Sequence, residues 1–393
     1  MHGRGLLPCF AQCQIVDTRT VAVDKQARAT RLRAMSAAIR VCALLLALAA
    51  GCKESSSPPP PPAEVQLATD LSPAVIDTVL KAIERSGGPR AEEVAGMRAG
   101  VSALPGAAGA PVGGGRPEPV VARGDVRWDS EPYGAIAAAA KGELMPIPAT
   151  GQDVPPLWKD PAGTWVAVGG RAVVMLVAVD ELGEHGAPVR FTALTEKWLK
   201  DRVAIAVPTG GPSLAHFAAL YQAWGAERME AWLAGLKANG VQIFPDDDQV
   251  RQEVVAGRAT VGILSSDEAA KAAASAAHVL VVYPNQRSIG TFVWPTALSV
   301  PKNARNREAA QRLASALADR STEQLLVARL PGYLPLRPDI PVPPGVRSAA
   351  NLVVVSVDPA RIVEEIGRRK ASLAAWARSL PKPSAGAAQL QKK

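Results

Sequence analysis

The stretch PTGGPSLAHF, from Pro208 to Phe217, has the composition of an anion-binding turn. It follows the apolar run RVAIAVP and precedes a helical pattern, so the turn at Thr209, Gly210 and Gly211 joins a strand to a helix that opens near Ser213. Free N–H groups and the positive end of a helix suit an oxyanion. The turn lacks the Lys of a Walker A loop. A plain strand-to-helix turn capped by Ser213 is the alternative.

Two acidic stretches could bind a cation or begin a helix. WDSEPYG follows the strand-like GDVRW and includes Glu131. GILSSDEAAKAAA follows another strand-like run and includes Ser266, Asp267 and Glu268. Ser265 and Glu268 have the S-x-x-E spacing of a capping box, and acids suit a helix N-terminus. Local structure is therefore a competing interpretation of both stretches.

Other polar residues predict structure rather than a site. DDDQV, from Asp246 to Val250, predicts a helix cap. His185, His216 and His278 are separated by 31 and 62 residues, which is not the spacing of a metal site. The sequence contains no G-x-S-x-G elbow and no H-E-x-x-H helix, so we predict that the chain is not an enzyme.

Short apolar runs alternate with helical patterns along most of the chain. Continuous apolar strands between amphipathic helices predict an α/β fold whose sheet is covered on both faces. The strand-like runs are TWVAVGG, RAVVMLVAV, RVAIAVP, ATVGIL, HVLVVYP, TFVWPTALSV and NLVVVSVD. The helical patterns include SLAHFAALYQAWG, ERMEAWLAGLKANG with its terminal Gly, QVRQEVVAGRA and REAAQRLASALADR.

The N-terminal region predicts an exported, anchored protein. The apolar run from Val41 to Ala50 is half the length that a membrane-spanning helix needs, but with Arg40 before it and small residues after it, it has the layout of a signal peptide. LAAGC resembles the lipobox of bacterial lipoproteins, which implies cleavage before Cys52 and lipidation of that residue. An ordinary cleaved signal is the alternative. We predict that translation starts at Met35.

Charge and cysteine content exclude several classes of protein. The formal charge is +8, but residues 1–51 contain seven Lys or Arg against two Asp, which leaves +3 for the remainder. That balance gives no basis for nucleic-acid binding. The four cysteines are Cys9, Cys13, Cys42 and Cys52, so neither a disulfide framework nor a thiolate metal site is predicted after residue 52.

The chain divides into four parts by composition. Residues 1–51 are the signal region, and residues 52–63 join the lipidated Cys to a spacer with five consecutive prolines. Residues 64–380 are long enough for two lobes, which we place at roughly 64–170 plus 295–343, and 171–294 plus the C-terminal helix. Residues 381–393 are predicted to be a flexible tail. A Gly/Ala/Pro-rich stretch, Leu104 to Pro119, is predicted to be a surface loop.

Six motifs, in this order, resemble the extracellular solute-binding proteins of ABC importers, nearest to the ferric-ion-binding type of the type II periplasmic binding fold. The motifs are GDVRWDSEPYGAIAAAAKGEL, KDPAGTWVAVGGRAVVMLV, RVAIAVPTGGPSLAHFAALYQAWGAERMEAWLAGLKANGV, VVAGRATVGILSSDEA, VVYPNQRSIGTFVWPTALSV and AAQRLASALADRSTEQLL. The resemblance implies two lobes, hinge strands that cross between them near 169–171 and 290–295, and a ligand in the cleft.

The resemblance also implies ligand-binding positions. Its matching turn binds the anion that accompanies the metal, which implies roles for Thr209, Gly210 and Gly211. A carboxylate near Glu131 is a metal ligand in ferric binders, and hard cations favour oxygen donors. The end of the first strand, at Thr69, belongs to the same predicted site.

At the first crossing, Arg171 could pair with a ligand carboxylate or phosphate, or form a structural salt bridge. Ferric binders have two adjacent tyrosines in the stretch where this chain has Ser266, Asp267 and Glu268. These three residues are therefore included as candidates, with Asp267 and Glu131 as candidate metal ligands, and the identity of the cation stays open.

The predicted function is the solute-binding component of an ABC importer, which captures ferric iron, an iron complex or a related cation or anion. Its partners would be a membrane permease and ATPase subunits, without a resident cofactor, and we expect a monomer. It would lie lipid-anchored at the bacterial cell envelope, facing the periplasm or the exterior. The alternative is a lipid-anchored homologue that lost transport and acts as a sensor or a structural lipoprotein.

Overall fold

Two long strands, Trp165–Ala178 and Val293–Pro301, form the centre of the fold, because each pairs with other strands along both of its edges. The computed structural model describes residues 65–86, 102–103, 124–148, 151, 153–342 and 346–380. The predictions for Met35, Cys52, the proline spacer, the loop from 104 to 119 and the tail from 381 lie outside these residues.

Ten strands and nine α-helices occur in the described residues. The strands are β1 Leu67–Thr69, β2 Ser102–Ala103, β3 Val126–Asp129, β4 Leu144–Met145, β5 Trp165–Ala178, β6 Val203–Ala206, β7 Gln242–Phe244, β8 Val261–Ser265, β9 Val279–Val282 and β10 Val293–Pro301. The helices are α1 Pro73–Arg85, α2 Tyr133–Ala140, α3 Gly211–Trp224, α4 Ala226–Ala238, α5 Asp247–Val255, α6 Ser266–Ser275, α7 Arg307–Leu317, α8 Arg320–Arg329 and α9 Pro359–Arg378.

The strand order is β2-β1-β3-β10-β5-β8-β6-β7, with β4 against β10 and β9 against β5. The first half of β5 pairs antiparallel with β10, and its second half pairs antiparallel with β8 and β9. The change of partner follows Ala172, where Arg171 lies opposite Trp294. This is the region in which we predicted the crossings.

Parallel pairing gathers the candidate loops at strand ends. β1 and β3 are parallel with Thr69 opposite Trp128, so the residues that follow these strands are neighbours. β6 and β8 are also parallel, so α3 and α6 begin at the same edge of their sheet. The carboxyl ends of such strands are where open α/β sheets bind ligands.

Two apolar cores lie on opposite faces of β5. Val174, Leu176 and Ala178 belong to one core, whereas the alternating residues Val173, Met175 and Val177 belong to the other. Side chains alternate along a strand, so a continuous apolar run requires cover on both faces. The predicted α/β class is confirmed.

Local signals set several helix ends as predicted. The Asp246 side chain accepts a hydrogen bond from the Gln249 N–H at 2.9 Å and so caps α5. After α4, Gly240 has φ +71°, the left-handed conformation that favours glycine. No helix in the described part of the chain is both long and apolar enough to span a membrane.

The predicted strand NLVVVSVD is wrong. Within the described ranges it contributes a single isolated bridge, between Val354 and Thr291. The Thr291 backbone forms this bridge, and the Gln286 side chain also bonds the segment: its Oε1 accepts the Val353 N–H at 2.9 Å and its Nε2 donates to the Val353 carbonyl at 3.0 Å. The runs TWVAVGG and RAVVMLVAV, by contrast, form the single strand β5.

Candidate functional site

Arg171 lies at the centre of the candidate site, where β5 changes partners. Its Cζ is 5.1 Å from the centre of the Trp294 ring and 5.7 Å from that of Tyr333, so the guanidinium lies between two aromatic rings. Its Nη2 donates to the Ser130 carbonyl at 3.0 Å. Its Nη1 is 3.5 Å from Asp267 Oδ2, a long ion pair. Its Nε is buried and has no hydrogen-bond partner among the described residues.

Asp267 enters the site from the first turn of α6. Its Oδ1 is buried without a hydrogen-bond partner in the part of the chain that the structure describes. The predicted capping box is wrong, because Ser265 occupies the N-cap position but its side chain makes no capping bond in the described structure. The Ser265 N–H instead donates to Asp247 Oδ2 at 2.8 Å, which ties the start of α6 to α5.

Glu268, the next residue, is directed elsewhere. Its carboxylate accepts from Arg251 Nε at 3.1 Å and contacts Lys271 Nζ. Successive helical residues are about 100° apart around the axis, so Asp267 and Glu268 face different neighbours. The structure therefore brings Asp267 to Arg171 and gives Glu268 to α5 and α6.

Glu131 approaches the site from the loop after β3. A Cβ placed on Gly211 would lie 3.4 Å from Glu131 Oε1, so this carboxyl lies against the start of α3. Burial, with smaller contributions from Asp70 and Asp129, raises the pKa of Glu131 to about 7 against the opposing effect of Arg171. The side chain is half-buried. Glu131 is thus a carboxyl that can be protonated near neutral pH.

The Gly210–Gly211 turn begins α3 two residues earlier than predicted. Gly211 has φ +58°, which a residue with a Cβ adopts at a cost. The Ser213 hydroxyl donates to the Ala206 carbonyl at 3.1 Å, so the predicted Ser213 cap is wrong. Among the described residues no side chain caps the first turn of α3. Thr209 belongs to the same turn, and its N–H donates to the Val207 carbonyl at 2.9 Å.

Two hydroxyls that we predicted to bind ligand are hydrogen-bonded to the protein. Thr69 Oγ1 donates to the Trp128 carbonyl at 2.6 Å and accepts the Leu71 N–H at 3.1 Å. Ser266 Oγ donates to the Gly332 carbonyl at 2.6 Å and accepts the Ala172 N–H at 3.0 Å. Both side chains are buried, so these hydroxyls hold loops in place.

Sequence reasoning missed Asp70 and Tyr333. Asp70 follows β1 and accepts hydrogen bonds from the Ser130 N–H at 2.7 Å and the Ser130 hydroxyl at 2.5 Å. Its position directly after the strand-like VQLAT was an available signal. Tyr333 lies in a turn whose Gly332 has φ +80° and packs against the Ser266 backbone. No local motif indicates that this turn reaches α6.

The described side chains that could donate to a metal ion do not form a preorganised metal site. Within the described ranges, no group of three or more His, Cys, Asp or Glu side chains is placed to hold a metal ion. His216 lies in the second core, where burial lowers its pKa to about 3. Around Arg171 the site instead offers one cation, several carboxyl groups and the positive end of α3.

Comparisons with known proteins agree with this architecture. Residues 139–358 match the family model described as a bacterial extracellular solute-binding protein. Among solved structures, iron-bound HitA from Pseudomonas aeruginosa superposes with a TM-score of 0.64 at 19% identity, covering 79% of this chain and 98% of that one.

Two further structures are similar to this chain. The Trichodesmium protein IdiA (FutA), in complex with iron and citrate, has a TM-score of 0.61 at 17% identity and covers 80% of this chain and 98% of that one. AfuA from Actinobacillus pleuropneumoniae, with exogenous fructose-6-phosphate bound, has a TM-score of 0.62 at 16% identity, covering 80% and 99%.

These findings confirm the predicted resemblance and the two-lobed periplasmic binding fold. The family and its structural relatives bind solutes without catalysis, which confirms that the chain is not an enzyme, and they act on the extracellular or periplasmic side. Because the family model covers more than half of the chain, this protein belongs to the bacterial extracellular solute-binding proteins.

Proposed function

We propose that this chain is the solute-binding component of an ABC importer, and that it captures a small solute bearing an anionic group, either free or as a ferric complex. It delivers this solute to a membrane permease that works with ATPase subunits. The observation that carries the proposal is Arg171, a partly buried cation whose buried Nε has no partner among the described residues, at the crossing between the two sheet regions. Partial burial strengthens its attraction for a carboxylate or phosphate.

The residues around Arg171 supply the other contacts. The uncapped start of α3 at Gly211 adds N–H groups and a positive helix end, which suit the same anionic group. Glu131 and Asp267 approach Arg171 from the loop after β3 and from α6. A solute held between these elements stabilises the closed form, because it binds that form more tightly than the open one.

Ferric iron enters this proposal as part of the cargo. The stretch at Asp267 has no tyrosine pair, and the His, Cys, Asp and Glu side chains of the described residues form no group of three that could hold the bare ion. A chelate brings its own oxygen ligands and presents carboxylates that Arg171 can bind. Glu131 and Asp267 then contact the outer groups of the chelate.

The wider organisation is also proposed. Lipidation at Cys52 holds the protein at the cell envelope, and the residues after the spacer form the two lobes at 64–170 plus 295–343 and 171–294 plus the C-terminal helix. The protein acts as a monomer. A homologue that binds solute but no longer serves a permease is the second candidate, which an uptake assay separates from the first.

Thermal-shift screening of the purified protein tests the proposal. Phosphate, succinate, fructose 6-phosphate, gluconate and ferric citrate are compared with ferric chloride in a non-coordinating buffer. A ligand that binds the native state raises the melting temperature with concentration. We expect at least one anionic probe to do so in the wild type and to lose its effect in Arg171→Gln. Stabilisation by ferric chloride alone, unchanged in Arg171→Gln, would refute the proposal.

A further inference from the structure

Three of the buried polar atoms without partners belong to Arg171 and to two side chains beside its guanidinium. They are Arg171 Nε, Asp267 Oδ1 and Trp294 Nε1, none of which has a hydrogen-bond partner among the described residues. The guanidinium joins them, because it lies 5.1 Å from the Trp294 ring and 3.5 Å from Asp267 Oδ2. Buried polar groups are normally satisfied, so such a cluster marks a place where a ligand supplies the missing bonds.

The three atoms require both kinds of hydrogen-bonding partner. Arg171 Nε and Trp294 Nε1 donate, so they need acceptors on the solute. Asp267 Oδ1 only accepts while it is ionised, so it needs a donor. Glu131 adds a carboxyl that faces the start of α3. The solute must therefore present acceptors and donors within one small region.

The charges around Arg171 further restrict the class of solute that fits the site. Asp70, Glu131 and Asp267 act electrostatically on Arg171, so a bare inorganic anion there would meet several carboxyl groups. A metal cation would satisfy the carboxylates but would leave both N–H groups without acceptors. A hydroxyl group both donates and accepts, and several hydroxyls beside one anionic group satisfy all of these atoms.

We infer that the solute is a polyhydroxylated anion, such as a sugar phosphate or a sugar acid, with its anionic group at Arg171 and its hydroxyls at Asp267 and Glu131. This inference rests on the proposed function, because it takes the same site as the solute-binding site. It adds that Asp267 selects hydroxylated solutes over plain anions of equal charge. The phosphate and carboxylate forms share this chemistry, and the probes below separate them.

Calorimetric titration of the full chain tests the selection. Fructose 6-phosphate is compared with inorganic phosphate, and gluconate with succinate. We expect the better hydroxylated probe to bind at least tenfold more tightly than either plain anion. Asp267→Ala should lower its affinity about tenfold or more, the loss expected for a hydrogen bond to a charged group, and change the plain anions less than threefold.

Two further variants serve as controls. Glu268→Ala removes the neighbouring acid, whose partners are Arg251 and Lys271, and should leave the affinity of every probe within twofold. Asp267→Asn keeps the volume of the side chain and removes its charge, so it reports on selection even if Asp267→Ala folds poorly.

The outcomes separate the two proposals. Plain anions that bind as tightly as hydroxylated ones, with Arg171→Gln abolishing both, would overturn the inference and leave the proposed function intact. An equal loss for all probes in Asp267→Ala or Asp267→Asn would overturn it as well. If no probe binds at all, the inference and the anionic solute of the proposed function are both wrong.

Discussion

Two arginines in the described part of this protein, Arg337 and the partly buried Arg171, have opposite surroundings. Arg337 is 1% exposed, and its donors have nearby acceptors: Nε donates to Asp153 Oδ2 at 2.7 Å, Nη2 donates to the Ala318 carbonyl at 2.8 Å, and Nη1 contacts the Glu323 carboxylate. Glu323 is fully buried and also accepts the Leu336 N–H at 2.5 Å. This cluster joins α8 to the segment that follows it.

Arg171 has fewer hydrogen-bonding partners than Arg337, and its neighbours include aromatic rings as well as polar groups. It makes one hydrogen bond to a carbonyl and one long ion pair, lies between two aromatic rings and leaves Nε unpaired in the described structure. A buried charge whose partners are all supplied by the protein is part of the scaffold, whereas one that lacks partners can bind something else. The difference predicts that stability depends on Arg337 and solute affinity on Arg171.

The largest expected effect is loss of stability in Arg337→Met. Methionine fills much of the volume but leaves the Glu323 carboxylate buried without its cation, which costs about 3–5 kcal/mol. Urea denaturation should show this loss in the free energy of unfolding. Any probe that the folded wild type binds should keep its affinity.

The double variant Arg337→Met with Glu323→Leu is the control. Replacing both charges by apolar groups removes the unpaired carboxylate, so part of the lost stability should return. The comparison between the arginines fails if Arg337→Met costs less than about 1 kcal/mol, a loss typical of an exposed ion pair.

The second effect concerns affinity in Arg171→Gln. Removing the cation from a site that binds an anionic group should weaken binding about a hundredfold, within the range for buried charge pairs. The free energy of unfolding should fall by no more than about 1 kcal/mol, because the wild-type ion pair is long. Calorimetry with the most stabilising probe, alongside urea denaturation, measures both.

The opposite effects of Arg171→Gln on stability and affinity would assign Arg171 to the scaffold. If Arg171→Gln loses several kcal/mol of stability and binds the probe normally, Arg171 is structural, and the alternative salt-bridge interpretation of its position is correct. Arg171→Lys is a useful companion, since it keeps the charge but loses the planar fork and should restore only part of the affinity.

Sequence alone predicts the strands well and the contacts between them poorly. The apolar runs locate β5, β6, β8 and β10, because a strand covered on both faces must be apolar throughout. The end of α4 and the cap of α5 follow from local residue preferences. These features depend on neighbours in sequence, which the sequence displays directly.

The candidate site depends on long-range geometry instead. The sequence does not distinguish Arg171 from Arg337. Only their packing in the fold shows which cation can bind a ligand and which belongs to the scaffold. Asp267 and Glu268 are adjacent acids, yet the direction of each side chain depends on where α5 lies. Tyr333 reaches Arg171 from more than 160 residues away, through a turn with no motif of its own.

The third effect is a dependence of stability on pH at Glu131. Its folded pKa of about 7 lies above the ordinary value, because burial, Asp70 and Asp129 outweigh Arg171. The folded state therefore binds the proton more tightly, and stability falls as pH rises between about 5 and 7. The free energy of unfolding of Glu131→Gln should fall by about 2 kcal/mol less than that of the wild type over this pH range. A fully buried carboxyl would give a larger difference, but Glu131 is half-buried.

Urea denaturation of both proteins at pH 5, 6, 7 and 8 measures the difference. Asp247, with a pKa raised to about 6 by burial, contributes a fall of its own, which both proteins share. Parallel curves for wild type and Glu131→Gln would show that the carboxyl titrates at its ordinary pKa and that the closeness of Asp70 and Gly211 has no electrostatic effect.

The smallest expected effect lies at the outer edge of the Arg337 cluster. Asp153 pairs with Arg337 Nε at 2.7 Å, but its side chain is 48% exposed, so water replaces much of what Asp153→Asn removes. The loss should be about 0.5–1 kcal/mol and should shrink in 0.5 M NaCl, since salt screens an exposed pair. A loss as large as that of Arg337→Met would mean that the cluster acts as one unit. The contribution of each residue to stability would then not depend on how deeply it is buried. A small loss shows that the scaffold cation depends on Glu323, its buried partner, and that counting ion pairs around an arginine does not reveal which of them matters.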